Sequence, residues 1–345
     1  MKLGTRQYSR QEIQAYVGNL DQIAAVHAMT FTQGRAKNCQ AFELYTGGGL
    51  RVLVLPDRGM DLYLADYKGQ GISYVTKSGI ASSAYYEAQG YGWLRSFGGG
   101  LLTTCGLTHV GDPEPAGQWE MGLHGRISNT PAYDLTSRAQ WEGDDYVLLV
   151  EGSVREAVLY EENLLLRRRV QCVAGENRIR VTDVVENQGP APAPFMLMYH
   201  LNFGFPLLDE HTRLTIPTRS CRERDQDGAH PAGDWSWFPP PRADGGTQLF
   251  FHDAAQDGDG VVAIEIQNPE LGFGVVLRYP KQQLPCLSQW KNTSCQDYVL
   301  GIEPGNCLPL GREENRRLGH LKYLEPGQSE TIWLEISVAE HSDKM

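Results

Sequence analysis

No apolar run in the 345 residues is long enough to cross a membrane as a helix. No apolar stretch follows the opening MKLGTRQYSRQE either, so a signal peptide is not expected. The cysteines number seven, an odd count, and none forms a CxxC pair. That usage suits reduced thiols in a reducing cytoplasm, and no spacing suggests a metal knuckle. There is no GK[ST] and no strand-GxGxxG-helix pattern, which removes the phosphate loop and the dinucleotide fold. A positive surface is missing as well: the formal charge of −11 argues against a nucleic-acid partner. Internal repeats and low-complexity tails are absent. What remains is an acidic chain large enough to bury a sizeable core, expected as one domain over residues 1–345. Its oligomeric state is left open.

Periodicity supplies the architecture. Ser9 followed by Glu12 makes a capping box, with Ile13, Tyr16, Val17 and Leu20 as an apolar stripe; this predicts a short helix within an N-terminal extension, residues 1–40, packed on the body. From Ala41 the period becomes two. AFELYTGGGLRVLVLP places Phe42, Leu44, Leu50, Val52 and Val54 in alternation around a glycine turn. YVLLVEGSVREA, LLLRRRVQCV and RIRVTDVVEN read as a meander, with the last two strands joined at residues 174–177. VVAIEIQNP, FGVVLRYP, LPCLSQWKN, DYVLGIEP and TIWLEISV continue the pattern to the end. The expectation is an all-β, antiparallel fold of roughly twenty strands.

Three irregular features need separate readings. Arg167 to Arg169 lie within a strand, so they alternate faces and cannot make one basic surface; solvated or salt-bridged arginines are expected. Glycines are dense from Gly90 to Gly106, which lets a backbone pass close to a ligand or to another chain segment. The stretch from Leu214 to Gly246 is full of turn signals, and its Trp235, Trp237 and Phe238 could wall a site or cover the sandwich edge.

Phe195 to Leu208, FMLMYHLNFGFPLL, carries polar groups in the least expected place. His200 and Asn202 are two apart on a strand of core character, so they share a face. Burying such groups without partners is costly, which points to a concave face that binds something. His124 in GLHG and Glu303 in GIEP sit in similar apolar surroundings. Two imidazoles and a carboxyl raised by burial suit proton transfer near neutral pH.

These three stretches carry a likeness. The chain resembles the aldose 1-epimerase (galactose mutarotase-like) superfamily, through Gly122-Leu123-His124-Gly125, Tyr199-His200-Leu201-Asn202-Phe203-Gly204 and Glu303-Pro304, over about Phe42 to Val338. Departures are Glu120 and Met121 where the family carries an asparagine, and the residues flanking His200. The family's substrate aspartate has no clear match; Asp209 and Asp234 lie nearest. The resemblance implies a β-supersandwich acting on the anomeric carbon of a sugar. It makes Glu303 the base, His200 the acid and His124 the stabiliser, with no cofactor or metal. Arg95 and Asn202 are implied substrate ligands. Arg58, Asp61, Lys291 and Trp290 are added from their polarity or aromaticity beside turns and strand ends. A phosphorylated or acidic sugar would need a further cation near Arg95, from Arg58, Arg126 or Lys291. A lyase would favour a long groove, and a carbohydrate-binding protein without turnover is the rival of a different class.

Overall fold

Strict alternation of buried and open side chains decides the architecture. In Arg178–Asn187 and Val261–Asn268 every second residue is buried, so each strand has one face in a core. The computed structural model describes residues 1–116, 119–224 and 234–340, and among these it holds twenty-four strands and two α-helices. The excess over the expected twenty comes from two- and three-residue ribbons such as Lys2–Leu3 and Gln70–Gly71, too short to show a period.

Two large sheets face each other, and all named strands pair antiparallel. One runs in the order Tyr133–Glu142, Asp145–Ala157, Asn163–Val173, Arg178–Asn187, Ser329–Glu340, Phe273–Pro280, Val261–Asn268, Arg213–Thr215. The other runs Thr218–Glu223, Thr247–Ala254, Cys286–Ser294, Asp297–Gly305, Ala193–Phe203, Leu102–Leu107, Asp61–Tyr67, Leu50–Leu55, Gln40–Tyr45, Ala25–Thr30. The main core lies between them, with Leu44, Val150, Val181, Leu197, Leu277 and Leu334 all fully buried. Burying each such side chain contributes about 1.5–3 kcal/mol. No helix among the described residues is long and apolar enough to cross a membrane.

The N-terminal helix spans Arg10–Tyr16 with the Ser9–Glu12 capping box in place and Ile13 buried. Tyr16 departs from the expected stripe and is 77% exposed. The chain turns extended at Val17, so the helical period ends before it can bring Tyr16 to the core. The second helix, Arg312–Leu318, has no apolar stripe to announce it. Its buried residue is Asn315, which exchanges hydrogen bonds with the Leu308 backbone and donates to the Gly311 carbonyl.

The arginine run alternates faces and is salt-bridged as expected, but its middle member is buried. Arg167 and Arg169 are exposed and paired with Glu186 and Glu151. Arg168 instead points between the sheets and is 1% exposed. It grips Asp183 through two bonds of 2.9 and 2.6 Å and reaches Thr104 and Asp61 on the facing sheet. Tyr199 donates to the same Asp183 carboxylate. This network lies on the core side of the Ala193–Phe203 strand and fastens one sheet to the other.

Candidate functional site

The Ala193–Phe203 strand is buried on both faces, with different company on each. Phe195, Leu197, Tyr199, Leu201 and Phe203 enter the main core, whereas Met196 and Met198 join a second cluster with Trp93, Phe97, Cys105, Leu123 and Cys307. His200 and Asn202 share the parity of the second set. Leu201 pairs with Ile302 and Asn202 with Gly301, so His200 stands opposite Glu303. Across the next ladder Glu303 pairs with Ser288 and Gly301 with Trp290. One sheet face therefore presents His200, Asn202, Glu303, Ser288 and Trp290 together.

His200 Nε2 lies 3.1 Å from Glu303 Oε1, and both side chains are almost wholly buried. Burial pushes the Glu303 carboxyl above its ordinary value, an effect that His200 opposes. His124 arrives from outside the sheet, its ring centre 6.0 Å from that of His200. Its backbone is in the left-handed region, φ +57°, held by an N–H bond to the Gly111 carbonyl and a C=O bond from the Gly106 N–H. Burial, followed by the neighbouring His200, His109 and Arg224, drives the His124 pKa well down, so its imidazole is neutral at pH 7.

Aromatic rings wall these groups. Phe97 and Trp290 stand 5.5 and 5.6 Å from the His200 ring, and Trp93 stacks on Phe97 and meets His124 at 5.0 Å. The glycine run brings Phe97 there by passing close to its own chain. Gly99 and Gly100 have φ of +71° and +99°, and a Cβ on either would fall 2.6–2.7 Å from the carbonyls of Tyr74 and Leu62. Asn202 fixes the run by donating to the Gly100 carbonyl. Four polar atoms around the face have no hydrogen-bond partner among the described residues: Nδ1 of His124, Nδ1 of His200, Oδ1 of Asn202 and Oγ of Ser288. Buried polar atoms are nearly always satisfied, so a cluster of orphans marks a surface that takes its partners from a ligand or solvent.

The remaining sequence candidates separate. Arg95 is 73% exposed at its side chain and pairs with Glu87 rather than facing His200. Arg58 is buried and donates to the carbonyls of Ser128, Ala81 and Ser96, which ties down the loops carrying Trp93 and Phe97. Asp61 accepts from Thr104 and Arg168 in the inter-sheet network. Lys291 follows Trp290 on one strand and so points to the opposite face, where it donates to the carbonyls of Asp234 and Trp237. These three are corrected from substrate ligands to structural ties. Asp209 and Asp234 cap their own turns. Phe238 is buried in the main core and Trp235 packs against it, so this stretch covers the sandwich; its residues 225–233 lie outside the described part. Trp93, Phe97 and Ser288 were not anticipated, although GYGWLRSFGGG signalled aromatics in a close-passing loop.

Two expected outcomes follow from this packing. A Cβ at Gly301 would sit 2.8 Å from Glu303 Oε1 and 3.0 Å from Trp290 Cβ. Gly301→Ala should therefore push the carboxylate off His200 and lower any turnover about 10²-fold, since misplacement by about an ångström has that effect. Full activity in the alanine variant would show that the close fit does not matter. Arg58→Met should cost about 1–3 kcal/mol by stranding buried carbonyls. Arg58→Lys should recover little, because one ammonium cannot serve three carbonyls fixed around a planar fork; thermal melts of both variants decide this.

The fold corresponds to that of known proteins. A Klebsiella pneumoniae protein that carries the provisional name aldose 1-epimerase superposes with TM-score 0.85 at 24% identity, over 94% of this chain and 87% of that one. A galactose mutarotase-like protein from Clostridium acetobutylicum gives TM-score 0.63 at 14% identity, over 92% and 99%. Galactose 1-epimerase from Lactobacillus acidophilus gives 0.60 at 15% identity, over 92% and 100%. The fold is thus a galactose mutarotase-like β-sandwich. The chain belongs to the family of a domain of unknown function, DUF4432, whose profile matches residues 36–338. No curated protein matches it.

Proposed function

We propose that this site interconverts the anomers of a neutral aldose by acid–base ring opening and closure. The contact between His200 and Glu303 is the observation that carries the reading. The anomeric oxygen and the ring oxygen are bonded to the same carbon, so a neighbouring base and acid can reach both. Glu303 removes the proton of the anomeric hydroxyl, the released O–H electron pair becomes the second bond of the aldehyde C=O, and the C1–ring-oxygen bond breaks with its electrons going to the ring oxygen. The ring oxygen takes its proton from protonated His200. Rotation about C1–C2 and closure with both transfers reversed give the other anomer and restore the starting pair. His124, kept neutral by burial, hydrogen-bonds the oxygen on which charge develops and does not supply the proton.

The surroundings favour an uncharged substrate. Phe97, Trp93 and Trp290 offer apolar ring faces, Lys291 is turned away, and Arg95 is paired with Glu87. Arg224, whose charge is felt at His124, is paired with Asp112. The test is exchange spectroscopy between the two anomeric proton signals across neutral aldoses, glucuronate and glucose 6-phosphate. Faster exchange for at least one neutral aldose, and none for the anions, is expected. Acceleration confined to the anions would overturn the substrate class. No acceleration for any sugar would leave a carbohydrate-binding protein.

A further inference from the structure

A cavity of about 1040 Å³ is not lined by His124, His200 or Glu303. It lies behind the glycines that flank His124, Gly122 and Gly125, and between the Asp145–Ala157 strand end and the Arg312–Leu318 helix. We infer that this cavity is a second ligand site, built for a small hydroxylated organic ammonium compound of the amino-alditol or amino-sugar class.

His109 supplies the first argument. It is 1% exposed, yet its Nδ1 has no hydrogen-bond partner among the described residues. Its Nε2 is 2.9 Å from the Asp112 carbonyl, which can only accept, so Nε2 carries the proton. Burial keeps the ring neutral, which makes Nδ1 a bare acceptor on the cavity wall. Glu114 Oε1, 3.6 Å away, is another acceptor and cannot satisfy it. The missing partner is therefore a donor.

Charge supplies the second argument. Six glutamates line the cavity against four arginines, and three of those arginines are already engaged, Arg155 by Asn163, Gln188 and Tyr133, Arg312 by the Thr108 carbonyl, and Arg316 by Glu313. The innermost carboxylate, Glu156, is 6% exposed and accepts from the Leu107 N–H and the Thr108 hydroxyl, which leaves lone pairs toward the space. Burial raises its pKa, so the protein does not supply a full counter-charge. An anion would meet this excess of carboxylates and be repelled. A ligand with an ammonium for Glu156 and Glu162, a hydroxyl for His109 Nδ1 and an apolar edge for half-exposed Trp119 matches every feature. No group of three or more His, Cys, Asp or Glu side chains among the described residues is arranged for a metal ion.

Open-chain probes separate this site from the first, because an alditol has no anomeric carbon. Calorimetric titration of the full chain with glucamine (1-amino-1-deoxyglucitol), its neutral counterpart glucitol and its acidic counterpart gluconate forms the test. Glucamine should bind at least tenfold more tightly than glucitol, with no binding of gluconate. Affinity should fall at least tenfold in Glu156→Gln and several-fold in Glu162→Gln, and be unchanged in Glu303→Gln. Because Glu156 is buried and its variant could misfold, Glu162→Gln and Trp119→Ala, both at accessible positions, serve as independent arms. Equal affinity for glucamine and glucitol, binding that disappears in Glu303→Gln, or no binding of glucamine would each overturn the proposal.

Discussion

Glu303→Gln should lower anomer exchange about 10²–10⁴-fold, the range for losing a positioned acid–base group, while making the protein more stable at neutral pH. Both effects come from one placement. The carboxyl is buried against His200, and burial raises its folded-state pKa above the ordinary 4.5. A carboxyl raised in this way binds its proton more tightly folded than unfolded. Its contribution to stability is therefore present below the unfolded value and is lost as pH rises through the folded one. The amide keeps the shape and a hydrogen bond to His200 but has no charge to desolvate. The gain in Tm over wild type should thus be near zero below pH 4.5 and grow as pH rises above it. Exchange spectroscopy and melts from pH 4 to 8 check the two halves separately. Unchanged exchange would remove Glu303 from the role of base, and a lower Tm at pH 8 would show that the pair with His200 outweighs the cost of burial.

How far the sequence foresaw this site depends on the kind of information each residue carries. His200, Asn202 and Glu303 were legible because polar groups interrupt apolar strands, and the two-residue period assigns His200 and Asn202 to one face without any coordinates. Their meeting with Glu303 was not legible from local pattern. It depends on the pairing of strands about a hundred residues apart, and a shift of one residue would have turned Glu303 into the main core. The resemblance to known epimerases supplied that pairing instead. Lys291 shows an error the sequence itself could have prevented, since it adjoins Trp290 on one strand and the two cannot share a face. Arg58 and Asp61 were chosen for polarity beside a turn, a property that says nothing of direction. His109, in the unremarked run THVG, carried no signal for the cavity it lines, because that cavity is made by segments from three parts of the chain.

The second large effect concerns Arg168, expected from the sequence only as a solvated or salt-bridged member of an arginine run. Arg168→Met should destabilise the chain by about 3–5 kcal/mol, the usual result of removing one partner from a buried ion network. With an unfolding entropy of about 2 cal/mol/K per residue, that is a loss of about 4–7 °C in Tm. The guanidinium is fully buried and binds Asp183 on its own sheet and Asp61 on the other. Removing it leaves two carboxylates facing each other's sheet without a cation between them. Burial already pushes Asp61 up to about 6, with Arg168 foremost among the groups that hold it down. Without Arg168 the Asp61 pKa must climb further, so more stability is lost as pH rises through that range. The deficit against wild type should be larger at pH 8 than at pH 5, and Asp61→Asn in the Arg168→Met background should recover part of it. A deficit of similar size at both pH values would mean that lost packing, not uncompensated charge, governs the contact. Tyr199 joins Asp183 to the strand that carries His200 on its other face, so the same variant should also disturb the first site. Anomer exchange measured well below the Tm should then fall even where the protein is folded, and exchange that stays at the wild-type rate would show that the strand keeps His200 in place without its anchor in the core.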